Sequence, residues 1–179
     1  MTESSIPRIH VSPDTATELA PLFQKGIRVS VETGCTIRSL LQDQWAIPPD
    51  YITGRISTMF LNGKPLDDMD EARVRDGDVL ALSSAMPGLV GAVMRRGGFY
   101  ASLRGGITYH EAAAEAGVLR GTITVKLFNL LIRELGPGFL AHGFRASRRD
   151  LPDGVLPADD SPQAHNGDVF IIAPPPPSA

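Results

Sequence analysis

Residues 94–106 read MRRGGFYASLRGG and hold two Arg-Gly-Gly units: Arg95, Arg96, Gly97 and Gly98, then Arg104, Gly105 and Gly106. Arginine stacks on bases and forks onto phosphates, which gives such units a role in disordered RNA-binding segments. A second arginine group, Arg145, Arg148 and Arg149, would help to hold a phosphate or an acidic partner if both clusters met on one face. Against this, Gly-Gly between the β-prone runs around Val93 and Phe99 is a hairpin signal, and charges on strand edges discourage aggregation. The hairpin is the preferred reading.

The other reactive residue types give weaker signals. Cys35 precedes an expected helix start, where the helix dipole would favour thiolate, but no histidine lies near it in sequence to act as a base. It reads as an inert residue in a tight turn. His10, His110, His142 and His165 lack the paired spacing of a metal site. Asp67, Asp68, Asp70 and Glu71 lack the alternating ligands and central glycine of a calcium loop, and read as a solvated acidic loop. No phosphate loop, nucleophile elbow or dinucleotide fingerprint is present. We therefore expect no catalytic residues, no cofactor and no metal.

Composition narrows the class further. The chain has 179 residues, 42% of them hydrophobic, and a net charge of −3. That suits one domain or two small ones and argues against wholesale binding to nucleic acid. Only three of the 17 basic residues are lysine, so arginine dominates the local clusters. A single cysteine excludes an internal disulfide. No apolar stretch approaches the ~20 residues that span a bilayer. The start, MTESSIPRIH, is unlike a secretion signal, and a cytoplasmic location is expected.

The elements that position these residues follow from periodicity. Ile27, Val29 and Val31 alternate with Arg28, Ser30 and Glu32, the mark of a half-buried strand. Ile37, Leu40, Leu41 and Trp45 then share one helical face, with Thr36 placed as the N-cap and Pro48-Pro49 as the stop. Asn62-Gly63 signals a tight turn after a strand, and Asp76-Gly77 leads into a strand from Val79 to Leu82. PRIHVS reads as a short first strand and DTATELAPLFQ as a loop or short helix. Strands alternating around one helix predict an α+β fold.

VETGCTIRSLL, FLNGKPLDD and VRDGDVLALSSAMPG resemble the small sulfur carriers of molybdopterin and thiamine biosynthesis, over roughly residues 27–90. That resemblance implies a ubiquitin-like β-grasp domain over residues 1–90. It also implies a partner such as an adenylating or cofactor-assembly enzyme. Carriers of that kind commonly end in Pro-Pro-x-x-Gly-Gly, whose last glycine supplies the reacting carboxylate. Here APPPPSA stands at the matching place, with Ser178 and Ala179 where the glycines would be, and both Gly-Gly pairs are internal.

The second half echoes the first. NGDVFIIAPPPP repeats the Gly-Asp-Val strand 90 positions later, and GTITVKLFNLLIRELG is similar to the carriers' opening strand. Ile123, Val125 and Leu127 alternate as a strand. Beyond Phe128 a helix competes with a hairpin around Gly136-Pro137-Gly138. No helix equivalent to TIRSLL shows in SRRDLPDGVLPADDSPQAH. Residues 121–179 are therefore either a degenerate second β-grasp or an unrelated, smaller β-rich unit with a Pro-rich tail. Residues 91–120 are expected as a Gly-rich hairpin and a short helix, TYHEAAAEAG, opened by the capping box of Thr108 and Glu111.

The leading functional expectation is a non-catalytic interaction module that has lost the carrier tail. It would dock on an enzyme or self-associate through Gly-rich strands, whose register is weakly fixed. The alternative is a carrier or protein modifier matured by cleavage at an internal Gly-Gly. A third reading is weak nucleic-acid binding through the arginine clusters.

Overall fold

The computed structural model describes residues 6–86, 88–104, 108, 119–155 and 167–174. The expected alternations become strands: β1 (Arg8–His10), β2 (Ile27–Glu32), β3 (Thr58–Leu61), β4 (Lys64–Pro65) and β5 (Val79–Ser83). Between them lie α1 (Ala20–Lys25), α2 (Ile37–Ser39), which runs on as a π-helical turn over Leu40–Gln44, and α3 (Pro49–Arg55). Thr36 caps α2 as expected, its hydroxyl accepting from the Ser39 amide at 3.2 Å. Asn62 and Gly63 both take positive φ, 52° and 79°, the requirement of a tight hairpin turn. Pro48-Pro49 ends one helix and starts another, since Pro49 stands at the first position of α3.

The later elements are α4 (Gly88–Met94), a 3₁₀ turn over Phe99–Arg104, β6 (Arg120–Phe128), α5 (Leu130–His142), β7 (Phe144–Ser147) and β8 (Asp168–Ile172). All the strands join one eight-stranded sheet in the order β1-β8-β7-β2-β6-β5-β3-β4. Strands from residues 1–90 and from residues 121–179 are therefore neighbours in a single sheet. β6 inserts between β2, to which it is antiparallel, and β5, to which it is parallel. Its Ile123, Val125 and Leu127 are buried beside Ile27, Val29 and Leu80, so both halves share one core.

The Gly-Asp-Val echo has a structural counterpart. β5 is antiparallel to β3 and parallel to β6, and β8 is antiparallel to β7 and parallel to β1. The helix that the second half does hold, α5, lies between β6 and β7, and residues 156–166 lie outside the described residues. Around Gly136-Pro137-Gly138 the chain stays helical instead of turning back, because Leu131, Ile132, Phe139 and Leu140 together form a buried face.

One set of alternating side chains in each long strand faces the helices, and the other faces away. The helical layer contributes Leu22, Phe23, Leu40, Leu41, Ile52 and Leu140 to the core, all fully buried. The opposite sheet face carries Arg28, Arg145, Phe170 and Lys126, all half-buried. Both edge strands are very short, which blunts strand addition from another chain.

Residues 91–104 are not the hairpin expected from their glycines. α4 ends at Met94, Gly97 turns the chain at φ 61°, and the 3₁₀ turn follows, so the described part of this segment holds no strand. The expected helix at 109–117 lies outside the described residues.

Candidate functional site

The described arginines of the first cluster divide by burial. Arg104 is only 3% exposed, and its guanidinium forks onto Asp67 with two bonds of 2.7 Å. Its Nε donates to the Val93 carbonyl at 2.7 Å and Nη2 to the Arg95 carbonyl at 3.2 Å. Arg96 reaches inward to the carbonyls of Ile52 and Ile56 and to the sulfur of Met69 at 2.9 Å, while its amide donates to Ser57. Burial lowers the Arg96 pKa, with the Arg38 charge adding to the effect. The Gly97 amide faces Asp67 at 3.4 Å, and the Gly98 amide donates to Arg95. Gly105 and Gly106 lie outside the described residues.

These contacts fasten residues 88–104 to α3, β3 and the loop after β4. Arg96 and Arg104 are anchors that donate to backbone carbonyls, the Asp67 carboxylate, methionine sulfur and the Thr108 hydroxyl. Neither guanidinium is turned outward toward phosphates or bases, the less favoured of the two readings of these arginines. The second cluster does not meet them either: β7 lies four strand spacings from β3, about 19 Å. Arg148 within it is buried.

The acidic loop is solvated at Asp68, Asp70 and Glu71, which are exposed, whereas Asp67 is half-buried. The aspartates are engaged locally. Asp67 takes the Arg104 fork, Asp68 accepts from the amides of Asp70 and Glu71, and Asp70 pairs with Arg38 at 2.5 and 2.8 Å. Burial pushes the Asp67 carboxyl up, but the Arg104 bonds and charge outweigh it and hold the group below its ordinary range. Among the described residues no cluster of three or more His, Cys, Asp or Glu side chains could hold a metal.

Cys35 is half-buried between the Glu32 carbonyl, to which its thiol donates at 3.3 Å, and Gln44, which donates to its sulfur at 3.2 Å. Burial raises the thiol pKa, assisted by the nearby charges of Glu32 and Asp43, despite the Gln44 bond. The dipole effect considered for this position does not win, because α2 is a single short turn.

With Arg96 and Arg104 turned inward and Arg95 exposed, the anchored segment shows the solvent its apolar side chains. Leu89 is 73% exposed, Val90 60%, Phe99 91% and Tyr100 43%. Phe99 and Tyr100 stack edge to face with centroids 5.1 Å apart. We call this segment the ledge. Its exposure has no signal in the sequence, where FYASL looks like an ordinary buried strand.

A second concavity, about 210 Å³, opens between α3 and α5 against Trp45 and Phe139. Its polar wall is Tyr51, which donates to Glu134 at 2.6 Å, with Arg55 also paired to Glu134. Burial and the Glu134 bond raise the Tyr51 pKa, whereas that bond and Arg55 lower the Glu134 pKa. Trp45 follows the π-helical turn, and Ala46 next to it has a φ of 52°. The Glu134 carboxylate is already held by two donors, and His142 completes the polar lining of the pocket.

Comparisons with protein-family models, curated proteins and solved structures find no match to this chain. Among the described residues no helix is long and apolar enough to cross a membrane.

Proposed function

We propose that this chain is a non-catalytic interaction module built around a ubiquitin-like grasp, and that its ledge binds a second copy of the chain. The grasp reading rests on β2, β6, β5, β3 and β4, a mixed five-strand run in which β5 and β6 are parallel and the other neighbours antiparallel. The carrier-like motifs sit on β2, α2, the Asn62-Gly63 turn and β5. The opening-strand motif sits on β6, so one grasp takes its first strand from the later part of the chain.

The observation that carries the functional reading is the 91% exposure of Phe99 on a segment that two inward arginines hold in place. Large apolar side chains grouped on a fixed support are typical of interaction surfaces. Burying Leu89, Val90, Phe99 and Tyr100 would remove on the order of 500 Å² per copy. Two copies together reach about 1,000 Å², the lower limit for a specific interface, so the dimer is weak. Gly97 and Gly98 stand in a pinned turn, which favours this reading over maturation by cleavage after Gly98.

Sedimentation equilibrium of the full chain tests it. A reversible monomer–dimer equilibrium at micromolar concentration is expected, and the double variant Leu89→Asp/Phe99→Asp should remain monomeric with unchanged circular dichroism. A wild-type protein that stays monomeric at the highest soluble concentration overturns the proposal.

A further inference from the structure

The sheet face turned away from the helices is hollow along β5. Phe60 on β3 lies opposite Ala81 on β5, and Ala81 lies opposite Lys126 on β6. Further along the same strands Ser83 lies opposite Phe128. A methyl group between two long side chains leaves a dip in the face. The result is a concavity of about 440 Å³, walled by Phe60, Val79, Met86 and Phe128 and floored by Ala81. Ordinary small-molecule sites span about 300–1,000 Å³ and are lined mainly by apolar side chains, as this one is.

Lys126 is the single charged side chain in this lining, and among the described residues it has no hydrogen-bond or ion-pair partner. Its stem lies against Gly26, where an added Cβ would stand 3.5 Å from both Cγ and Cε. At the C-terminal ends of β5 and β6 the polar groups satisfy one another instead. Asn129 donates to the Ser83 hydroxyl at 3.1 Å and to the Ala85 carbonyl, and Ser83 donates to Ala85 at 3.0 Å. Asn129 does so from a φ of 57°, which residues other than glycine rarely take. These bonds tie the segment leading to Met86, one wall of the concavity, to the end of β6.

We propose that this concavity binds a small amphipathic monocarboxylate, a medium-chain aliphatic acid, with the carboxylate on Lys126 and the chain over Ala81 between Phe60 and Phe128. One ammonium balances one carboxylate. A phosphate dianion would bring a second charge that no group of the lining offsets. The remaining walls are apolar or already hydrogen-bonded, which suits a hydrocarbon chain and disfavours a polar one. Lys126 has no ion pair to give up, so the carboxylate meets no competing anion.

Isothermal titration of the full chain with octanoate, and with octanol as its uncharged counterpart, tests this. Octanoate should bind at one site per chain. Lys126→Gln, on the outer sheet face, should fold normally and weaken octanoate by about tenfold, the loss expected for a charge-assisted pair, while leaving octanol unchanged. Ala81→Phe fills the floor and should weaken both probes. The ledge variant Leu89→Asp/Phe99→Asp should bind octanoate as wild type does, which separates this site from the ledge. Unchanged octanoate binding in folded Lys126→Gln overturns the proposal, as does loss of binding in the ledge variant or no binding by wild type at millimolar octanoate. Affinity that falls as protein concentration rises, in the ledge variant too, makes a second copy the occupant and overturns it as well.

Discussion

Arg104 and Asp67, 37 positions apart in sequence, are joined by two parallel hydrogen bonds of 2.7 Å, with the guanidinium almost wholly out of solvent. The same guanidinium bonds the carbonyls of Val93 and Arg95, so it ties the end of the ledge to its beginning and to the body. Removing it leaves the Val93 carbonyl and a partly buried carboxylate without this donor, while the Arg95 carbonyl keeps the Gly98 amide. Arg104→Ala should lower stability by about 2–3 kcal/mol in urea titration. It should also open residues 95–104 to limited proteolysis. Arg104→Lys keeps the charge but loses the fork, and should recover only part of both effects. A protease-resistant alanine variant of wild-type stability would show that the anchor is idle.

The Asp67 carboxyl is held below its ordinary range in the folded protein, so the unfolded chain takes up the proton at a higher pH. Its contribution is present above the unfolded value, about pH 4, and is lost as pH falls through the folded value. Asp67→Asn removes that contribution at neutral pH. The gap in urea midpoint between wild type and Asp67→Asn should therefore be widest near neutrality and shrink below about pH 4. A gap independent of pH would mean that the carboxylate charge is not what Arg104 recognises.

Strands were legible in the sequence wherever one face is buried, because alternation at Ile27–Val31 and Ile123–Leu127 records which side chains meet the core. Caps and turns were legible for a local reason. Thr36 accepts from the Ser39 amide three positions on, and Asn62-Gly63 takes the positive φ angles its residue types favour, although the bonds of Asn62 reach Asp78 and Val79. Pairing was not. Nothing local in TITVKLF says that it lies between residues 27–32 and 79–83, since the three segments meet only through the folded core. Around Gly136-Pro137-Gly138 the local turn signal was real, but the burial of Ile132 and Phe139 outweighed it. Arg96 and Arg104 misled for a related reason: their acceptors are mainly backbone carbonyls of Ile52, Ile56, Val93 and Arg95, which look alike in any sequence. The row of Phe60, Ala81 and Lys126 appears only when the strand register is known.

Cys35 offers a simple chemical check. A thiol whose pKa is raised by burial and by Glu32 and Asp43 is mostly protonated at neutral pH and therefore slow to alkylate. Iodoacetamide should modify it in the folded protein more slowly than in the urea-unfolded chain at the same pH. The difference should narrow as pH rises past the thiol range. Gln44→Ala removes the bond that stabilises thiolate and should slow the folded reaction further. Faster modification in the folded state would assign Cys35 an activated role.

The two glycines flanking Pro137 share α5 but meet different surroundings. A Cβ at Gly136 would stand 3.1 Å from the Cβ of Ala16 and 3.4 Å from the Phe23 ring, whereas one at Gly138 would meet nothing within 4 Å. Alanine is favoured over glycine within a helix by about 1 kcal/mol, and it also restricts the unfolded chain. Gly138→Ala should therefore stabilise the protein by up to about 1 kcal/mol. At Gly136 the same gain is opposed by crowding against α1 and the turn at Pro13–Ala16, so Gly136→Ala should come out near neutral. Gly136→Val adds two methyl groups where the helices already touch and should cost about 1–3 kcal/mol. Urea midpoints for the three variants decide the matter. If Gly136→Val is tolerated as well as Gly138→Ala, then α5 does not pack against Ala16 and Phe23, and the helical path through Pro137 is wrong.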